Sequence, residues 1–302
     1  MTSQSPIFIA GTQRSGTTLL HRILNSAPTV YSKNELNSLH PMLFSSDDQI
    51  PAAAEYLKKR LNIEVAAECT ESHPGPAILD HAMLKAATRE KCSRWCLKDP
   101  ELTHHLKDYA MAFPAALFLI TIRDPRAVCR SYMDRSIFKL GRPPNTITAA
   151  ERWNSEVSAQ LKFVADFSTR TLVVSYESLI RNLADEIQTI CKFLSLPYDT
   201  AMLNYHNNQP KMRIHAGNAN STQAPDERRI DAWKKSLSKR QISIIESIAE
   251  QTLKASGYEL TGPQVHVPEY KKRLARVHNR ICHEYHWQRR KLTTFIAQSK
   301  EH

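Results

Sequence analysis

The 302-residue sequence predicts an α/β protein, a P-loop-like parallel β-sheet flanked by helices, with a C-terminal amphipathic helix. Three observations lead there. Short apolar or β-branched runs alternate with stretches of helical periodicity, the pattern of strands buried between layers of helices. The first run, Ile7 to Ala10, stops at Gly11 and gives way to a helix beyond Gly16. The strongest run, Ala116 to Ile122, breaks just as sharply into Arg123-Asp124-Pro125-Arg126, with Pro125 suited to a first helical turn.

In chain order, Leu19, Leu20, Ile23 and Leu24 recur at helical spacing after the first strand. Thr29 to Ser32 forms a short second strand, followed by a polar stretch with Glu35 and a helix from Leu36 to Phe44. Residues 51 to 92 read as helices separated by the breaker run Ser72-His73-Pro74-Gly75-Pro76. A strand from Arg94 to Leu97 ends in Lys98-Asp99-Pro100, and Leu102 to Ala112 returns as a helix. After Ile122 the sequence predicts a surface loop over 139 to 147, a helix from Ala149 to Phe167, a strand from Thr171 to Ser175 and one helix from Leu179 to Leu194. Pattern is lost from Tyr198 to Glu227, a stretch that reads equally as a lid or a long connection. A helix from Ser238 to Ala255 stops at Gly257.

The turn after the first strand is built for an anion. Gly11 and Gly16 bracket Thr12, Gln13, Arg14 and Ser15, with hydroxyls following at Thr17 and Thr18. Glycines allow the tight turn, and the N–H groups of the helix start point at a phosphate. A nucleoside triphosphatase needs Lys after the second Gly. This chain has Thr17 there and carries its cation inside the loop as Arg14, which fits a nucleotide without a magnesium triphosphate. A kinase of the phosphate-loop type is therefore disfavoured.

Hydrophobic residues make up 41% and charged residues 24%, enough for a sizeable core and against wholesale disorder. The formal charge of +11 suits an anionic ligand or partner without saying which. No apolar stretch approaches the about 20 residues that span a bilayer. Only Met1 to Pro6 precede the first strand, so the chain is read as cytoplasmic, with no signal peptide. Cys69, Cys92, Cys96, Cys129, Cys191 and Cys282 form no Cys-x-x-Cys pair, which argues against a zinc site or disulfide framework. The basic residues sit at motif positions rather than in aromatic-interleaved patches, which argues against a nucleic-acid partner.

The two junctions together resemble the nucleotide site of sulfotransferases that use 3′-phosphoadenosine-5′-phosphosulfate. Gln13-Arg14-Ser15-Gly16-Thr17-Thr18 resembles that family's 5′-phosphosulfate loop. Ile122-Arg123-Asp124-Pro125-Arg126-Ala127-Val128, followed by Ser131 and Arg135, resembles its 3′-phosphate motif. Val174-Ser175-Tyr176-Glu177, Phe193-Leu194-Ser195-Leu196-Pro197, Arg152-Trp153-Asn154 and the placement of Glu35 and Lys98 bring the likeness nearest to the tyrosylprotein-sulfotransferase-like branch. It covers about residues 6 to 260 and is loose after 200.

The resemblance implies roles. Arg14, Ser15, Gly16, Thr17 and Thr18 would hold the 5′-phosphosulfate; Arg123 and Ser131, with Arg135, the 3′-phosphate; and Tyr176 the nucleotide. Glu35 stands where the branch has its general base, and Lys98 where a lysine balances charge on the transferring group. An acceptor hydroxyl needs a base as its bond forms, and in-line transfer calls for a base and a cation on opposite sides, with no metal. Glu35 also reads as a helix cap, Lys98 as a surface lysine, and His104 as a reserve base. Ser221 loosely resembles a hydroxyl that the branch brings near the sulfonyl group. The acceptor's class stays open between tyrosine, sugar, lipid and small metabolite.

Residues 1–262 are thus expected to form the catalytic domain and 263–302 a basic helical extension. In that extension Tyr270, Leu274, Val277, Ile281, Tyr285, Leu292, Phe295 and Ile296 recur at spacings of mostly three or four. Lys271, Lys272, Arg273, Arg276, Arg280, Arg289, Arg290 and Lys291 occupy the other face. Such a helix packs on its own domain, or meets a second subunit in a homo-oligomer or an anionic acceptor. Trp287 among the charges disfavours a membrane role.

Overall fold

A computed structural model describes residues 5–63, 74–134, 142–207 and 222–298, with side chains through 289. The elements run β1 (Ile7–Gly11), α1 (Thr17–Asn25), β2 (Val30–Asn34), α2 (Leu39–Phe44), α3 (Ile50–Leu61), α4 (Pro74–Arg89), β3 (Arg94–Lys98), α5 (Leu106–Ala112), β4 (Leu117–Ile122) and α6 (Pro125–Met133). They continue as α7 (Thr146–Asp166), β5 (Thr171–Ser175), α8 (Tyr176–Arg181), α9 (Leu183–Leu194), α10 (Ala232–Ser236), α11 (Lys239–Ala255) and α12 (Glu269–Gln298). Among the described residues no helix is long and apolar enough to cross a membrane.

The strands form one parallel sheet in the order β2-β3-β1-β4-β5. The interior strand β1 is buried along its whole length, which explains its unbroken apolar run, and β3 is buried throughout although Arg94 and Lys98 bound it, whereas β2 and β5 at the edges are buried only in part. From β1 the chain moves to one edge and returns through β3, then crosses to the other side with β4. The carboxyl end of β1 therefore lies where the strand order diverges, the place at which open α/β sheets bind ligands.

The chain divides into two compact units, residues 1–122 with 159–227 and residues 123–158 with 228–302. The first holds the sheet. Its core is centred on Phe8, whose ring lies 5.2 to 5.4 Å from those of Trp95, Tyr109, Phe113 and Phe118.

Several elements depart from the expected bounds. β2 runs on through Asn34 because it pairs with β3 as far as Lys98. α2 starts at Leu39 rather than Leu36: Ser38 adopts φ 65°, and the Leu36 N–H donates to Asp99 Oδ2 at 3.2 Å. Pro74-Gly75-Pro76 opens α4 instead of separating helices, since proline is tolerated in a first turn. A Cβ at Gly75 would stand 2.1 Å from the Leu43 carbonyl, so only glycine allows this approach. The helix expected from Leu102 begins as a 3-10 turn over Pro100–His104, capped by Asp99, before α5. The single helix expected over Leu179–Leu194 is two, broken at Asn182, and the Ser175 side chain starts the first by accepting the Ser178 N–H at 3.3 Å. Asn145 similarly starts α7 three residues early, with Oδ1 accepting the Thr148 N–H at 3.0 Å. Sequence periodicity missed the five-residue α10 altogether.

The second unit is organised around Arg126. Its guanidinium donates to Asp124 at 2.7 to 3.2 Å, to Glu246 Oε1 at 2.7 Å and to the Glu259 carbonyl at 3.1 Å, and it lies 4.2 Å over the Trp233 ring. Glu246 is fully buried and accepts the Thr261 and Gly262 N–H groups and the Thr261 hydroxyl. Burial opposes its ionisation, but the Thr261 hydroxyl, those N–H groups and Arg126 together hold its carboxyl below the usual range. α11 begins with a reciprocal cap between Ser238 and Gln241.

α12 is amphipathic as expected, but its apolar stripe faces outward. Tyr270, Leu274, Val277, Ile281 and Tyr285 are 54 to 65% exposed. The covered face is polar: Asn145 donates to the Ala275 carbonyl at 3.0 Å, His283 reaches the Arg142 carbonyl at 3.2 Å, and Arg276 pairs with Glu151 at 2.7 Å. Arg290, Lys291, Leu292, Phe295 and Ile296 lie beyond the described side chains.

Candidate functional site

The loop after β1 has the geometry its glycines require. Gly11 adopts φ 153°, and a Cβ there would stand 2.3 Å from Thr121 Oγ1 and 2.8 Å from Ser15 Oγ. Gly16 adopts φ 101°, and a Cβ there would stand 2.5 Å from Tyr176 Cδ2, so the Tyr176 ring closes against the loop. Arg14 takes φ 75°, uncommon for a side-chain-bearing residue and a strain that binding loops carry. Ser15 is pinned from two sides, its N–H on the Thr12 carbonyl at 3.0 Å and its hydroxyl 2.8 Å from that of Thr121 on β4. α1 then starts without a side-chain cap and without an acidic residue in its first turn. Backbone donors, the Thr17 and Thr18 hydroxyls and Arg14 are a donor set that fits a phosphate or sulfate group.

Gln160 of α7, missed by sequence reasoning, supports this loop from beneath. It is fully buried, and its Nε2 donates to Thr103 Oγ1 at 3.2 Å and reaches Thr12 Oγ1 at 3.5 Å. A polar residue on the apolar face of a helix was the available signal.

Glu35 and Lys98 come together because β2 and β3 end in register, Asn34 opposite Lys98. The Glu35 N–H donates to the Lys98 carbonyl at 2.8 Å, and Lys98 Nζ donates to Glu35 Oε1 in a direct ion pair. Lys98 is 1% exposed and the Glu35 side chain 31%, so the carboxylate is the member open to solvent. The expected base and cation are thus side by side here, not set apart, because neighbouring parallel strands deliver their next residues to the same edge. Lys98 is no surface lysine, and Glu35 caps no helix.

Asp99 sews this corner together. Its N–H donates to the Ile9 carbonyl at 3.2 Å, Oδ2 accepts Leu36 N–H, and Oδ1 accepts Glu101 N–H at 3.0 Å. Burial raises its carboxyl to about 6, against the lowering pull of the Glu101 N–H. His21 on α1 lies 3.3 Å from the Ser32 carbonyl, and burial, then the charge of Lys98, pushes it down to about 3, so its imidazole is neutral. His104 is exposed on the 3-10 turn after Asp99.

In the second unit, Arg123 precedes α6 and Ser131 lies within it, both half-buried. Asp124 caps α6 by accepting the Arg126 N–H at 2.8 Å, with Pro125 at its first position. Arg123 donates to the Arg229 carbonyl at 3.3 Å, and its own carbonyl accepts Trp153 Nε1–H at 3.0 Å, which gives the Arg152-Trp153-Asn154 pattern a structural role. Arg135 and Ser221 lie outside the described residues.

Comparison with known proteins identifies the family. A sequence model of the sulfotransferase family matches residues 6–200, well over half the chain. The protein-tyrosine sulfotransferase of Drosophila melanogaster is 29% identical over 210 residues, covering 66% of this chain and 40% of that protein's length. Protein-tyrosine sulfotransferase A of Caenorhabditis elegans is 24% identical over 273 residues, 88% of this chain and 70% of its own. Among solved structures, the sulfotransferase domain of the Synechococcus PCC 7002 olefin synthase superposes with a TM-score of 0.60 at 21% identity over 86% of this chain and 98% of that domain, a likeness of fold. The chain belongs to the sulfotransferase family, enzymes that draw on 3′-phosphoadenosine-5′-phosphosulfate.

Proposed function

We propose that the enzyme transfers the sulfonyl group to a tyrosyl hydroxyl of a polypeptide, with Glu35 as general base. The observation that carries the assignment of roles is the Glu35–Lys98 pair at the carboxyl edge of the sheet. The names of the relatives support the phenolic acceptor. When bound, the donor supplies an activated sulfonyl group. Glu35, the more exposed member of the pair, takes the acceptor's proton as the new oxygen–sulfur bond forms and the bond to the 5′-phosphate breaks. Lys98 exchanges its carboxylate partner for the charge on the transferring group, which frees the base as the proton arrives. Arg14 and the N–H groups at the start of α1 receive the charge left on the phosphate. By their place in the motif, Arg123, Ser131 and Arg135 hold the 3′-phosphate, and Tyr176 meets the nucleotide.

Adenosine 3′,5′-bisphosphate should raise the melting temperature more than adenosine 5′-phosphate does, because ligand held only by the folded state stabilises it. Incubation with labelled donor and a panel of acceptors should then place label on tyrosine peptides. Equal shifts from the two nucleotides would overturn the 3′-phosphate assignment. Label found only on sugars, lipids or small metabolites would overturn the acceptor.

A further inference from the structure

Besides the Glu35–Lys98 pair, α2 and the start of α5 bring together three groups that the transfer reaction does not use. His40 Nε2 lies 2.9 Å from Asp108 Oδ2. His105 Nδ1 lies 3.7 Å from the same oxygen. The two imidazoles stack with centroids 3.5 Å apart and planes 14° from parallel. One ligand atom from each of the three residues lies within 4.8 Å of the other two, and both histidines are half-buried while Asp108 is exposed.

We infer that His40, His105 and Asp108 form a binding site for one divalent cation of the zinc class. Two imidazole nitrogens and a carboxylate oxygen suit zinc, cobalt or nickel, whereas magnesium and calcium take oxygen ligands. Atoms each about 2.0–2.1 Å from a tetrahedral ion stand about 3.3 Å apart, and the two nitrogen–oxygen separations here, 2.9 and 3.7 Å, bracket that value. Entry of the ion tilts the stacked rings apart so that both nitrogens turn toward it. His40 is held for that role by ring contacts with Phe44 at 4.7 Å and Tyr109 at 5.9 Å. Three protein ligands leave a fourth position for water or an outside ligand. Asp108 also lines a cavity of about 500 Å³ with Phe44, Ile50, Pro76 and Met111, which gives that position an approach. α2 begins four residues after Glu35, so an ion here ties the segment that follows the base to α5.

The test is calorimetric titration of full-length, chelator-stripped protein with zinc chloride, repeated with magnesium chloride, and with cobalt chloride followed by visible absorption. Wild type should take up one equivalent of zinc, give the absorption bands of four-coordinate cobalt, and ignore magnesium. His40→Gln/His105→Gln, checked to melt as cooperatively as the parent, should lose zinc affinity by more than the about 10–100-fold seen on removing a mere supporting partner. His278→Ala/Cys282→Ser, which removes a thiol–imidazole pair 3.5 Å apart on α12, should bind zinc as the parent does. The proposal is overturned if stripped wild type binds no zinc, if the double glutamine variant binds it undiminished, or if the α12 variant is the one that loses it.

Discussion

Arg126 in the second unit and Lys98 in the first are both buried cations, 4% and 1% exposed, yet their counter-charges differ in kind. Arg126 faces two buried carboxylates, a carbonyl and an indole ring, and Glu246 is itself fixed by two backbone N–H groups. Lys98 faces Glu35, a carboxylate one-third open to solvent. A cation whose partners are themselves immobilised is locked into the fold. One whose partner can reach water and substrate is able to exchange it. The Arg123-Asp124-Pro125-Arg126 junction therefore contains two arginines of different use: Arg126 builds the unit, and Arg123 is the one proposed to meet the 3′-phosphate.

The contrast is tested most severely at Arg126. Arg126→Met leaves Glu246 buried without its cation and should cost about 3–5 kcal/mol of stability, read by denaturant unfolding. A loss within the range of an exposed ion pair, about 1 kcal/mol or less, would erase the distinction between the two cations. Glu35→Gln should tell chiefly on the reaction, since the amide oxygen still accepts from Lys98: nucleotide affinity nearly unchanged, turnover down by about 100-fold or more, or about 2.7 kcal/mol of activation free energy. Turnover that survives would move the base elsewhere, with His104 the next residue to test.

A smaller effect sharpens the contrast through pH. The folded state keeps a proton on Asp99 up to about 6, while the unfolded chain releases it near 3.8. Between those values the folded chain holds more protons, so this group's contribution to stability falls as pH rises through the window. Wild type should therefore lose more stability than Asp99→Asn between about pH 4 and 6. Unfolding curves of the two proteins with the same pH slope would mean that Asp99 ionises normally despite its burial.

Much of the fold was legible because it depends on local chemistry. β5 occupies the residues read from its β-branched run, and β1 and β4 lie where unbroken apolar stretches placed them. The loop between Gly11 and Gly16 was legible for the same reason: the positive φ values of the two glycines exclude most side chains there. Boundaries set by a distant partner were not. α2 starts late because Asp99, 63 residues on, takes the Leu36 N–H. Gln160 and Thr121 escaped notice because their partners, Thr12 and Ser15, are more than 100 residues away in sequence.

By itself the sequence determined the alternation of strands and helices, the anion-binding turn, and the residue types available for sulfonyl transfer, since periodicity, glycine spacing and side-chain chemistry act within a few neighbours. Only the tertiary structure decided that Glu35 and Lys98 pair, through the register of β2 on β3. It alone decided that α12 turns its polar face toward Arg142, Asn145 and Glu151 and exposes Tyr270, Leu274, Val277, Ile281 and Tyr285. A helix's periodicity shows that it has two faces, whereas which one is covered depends on what the neighbouring elements offer, and here Asn145, Arg142 and Glu151 offer hydrogen bonds and charge.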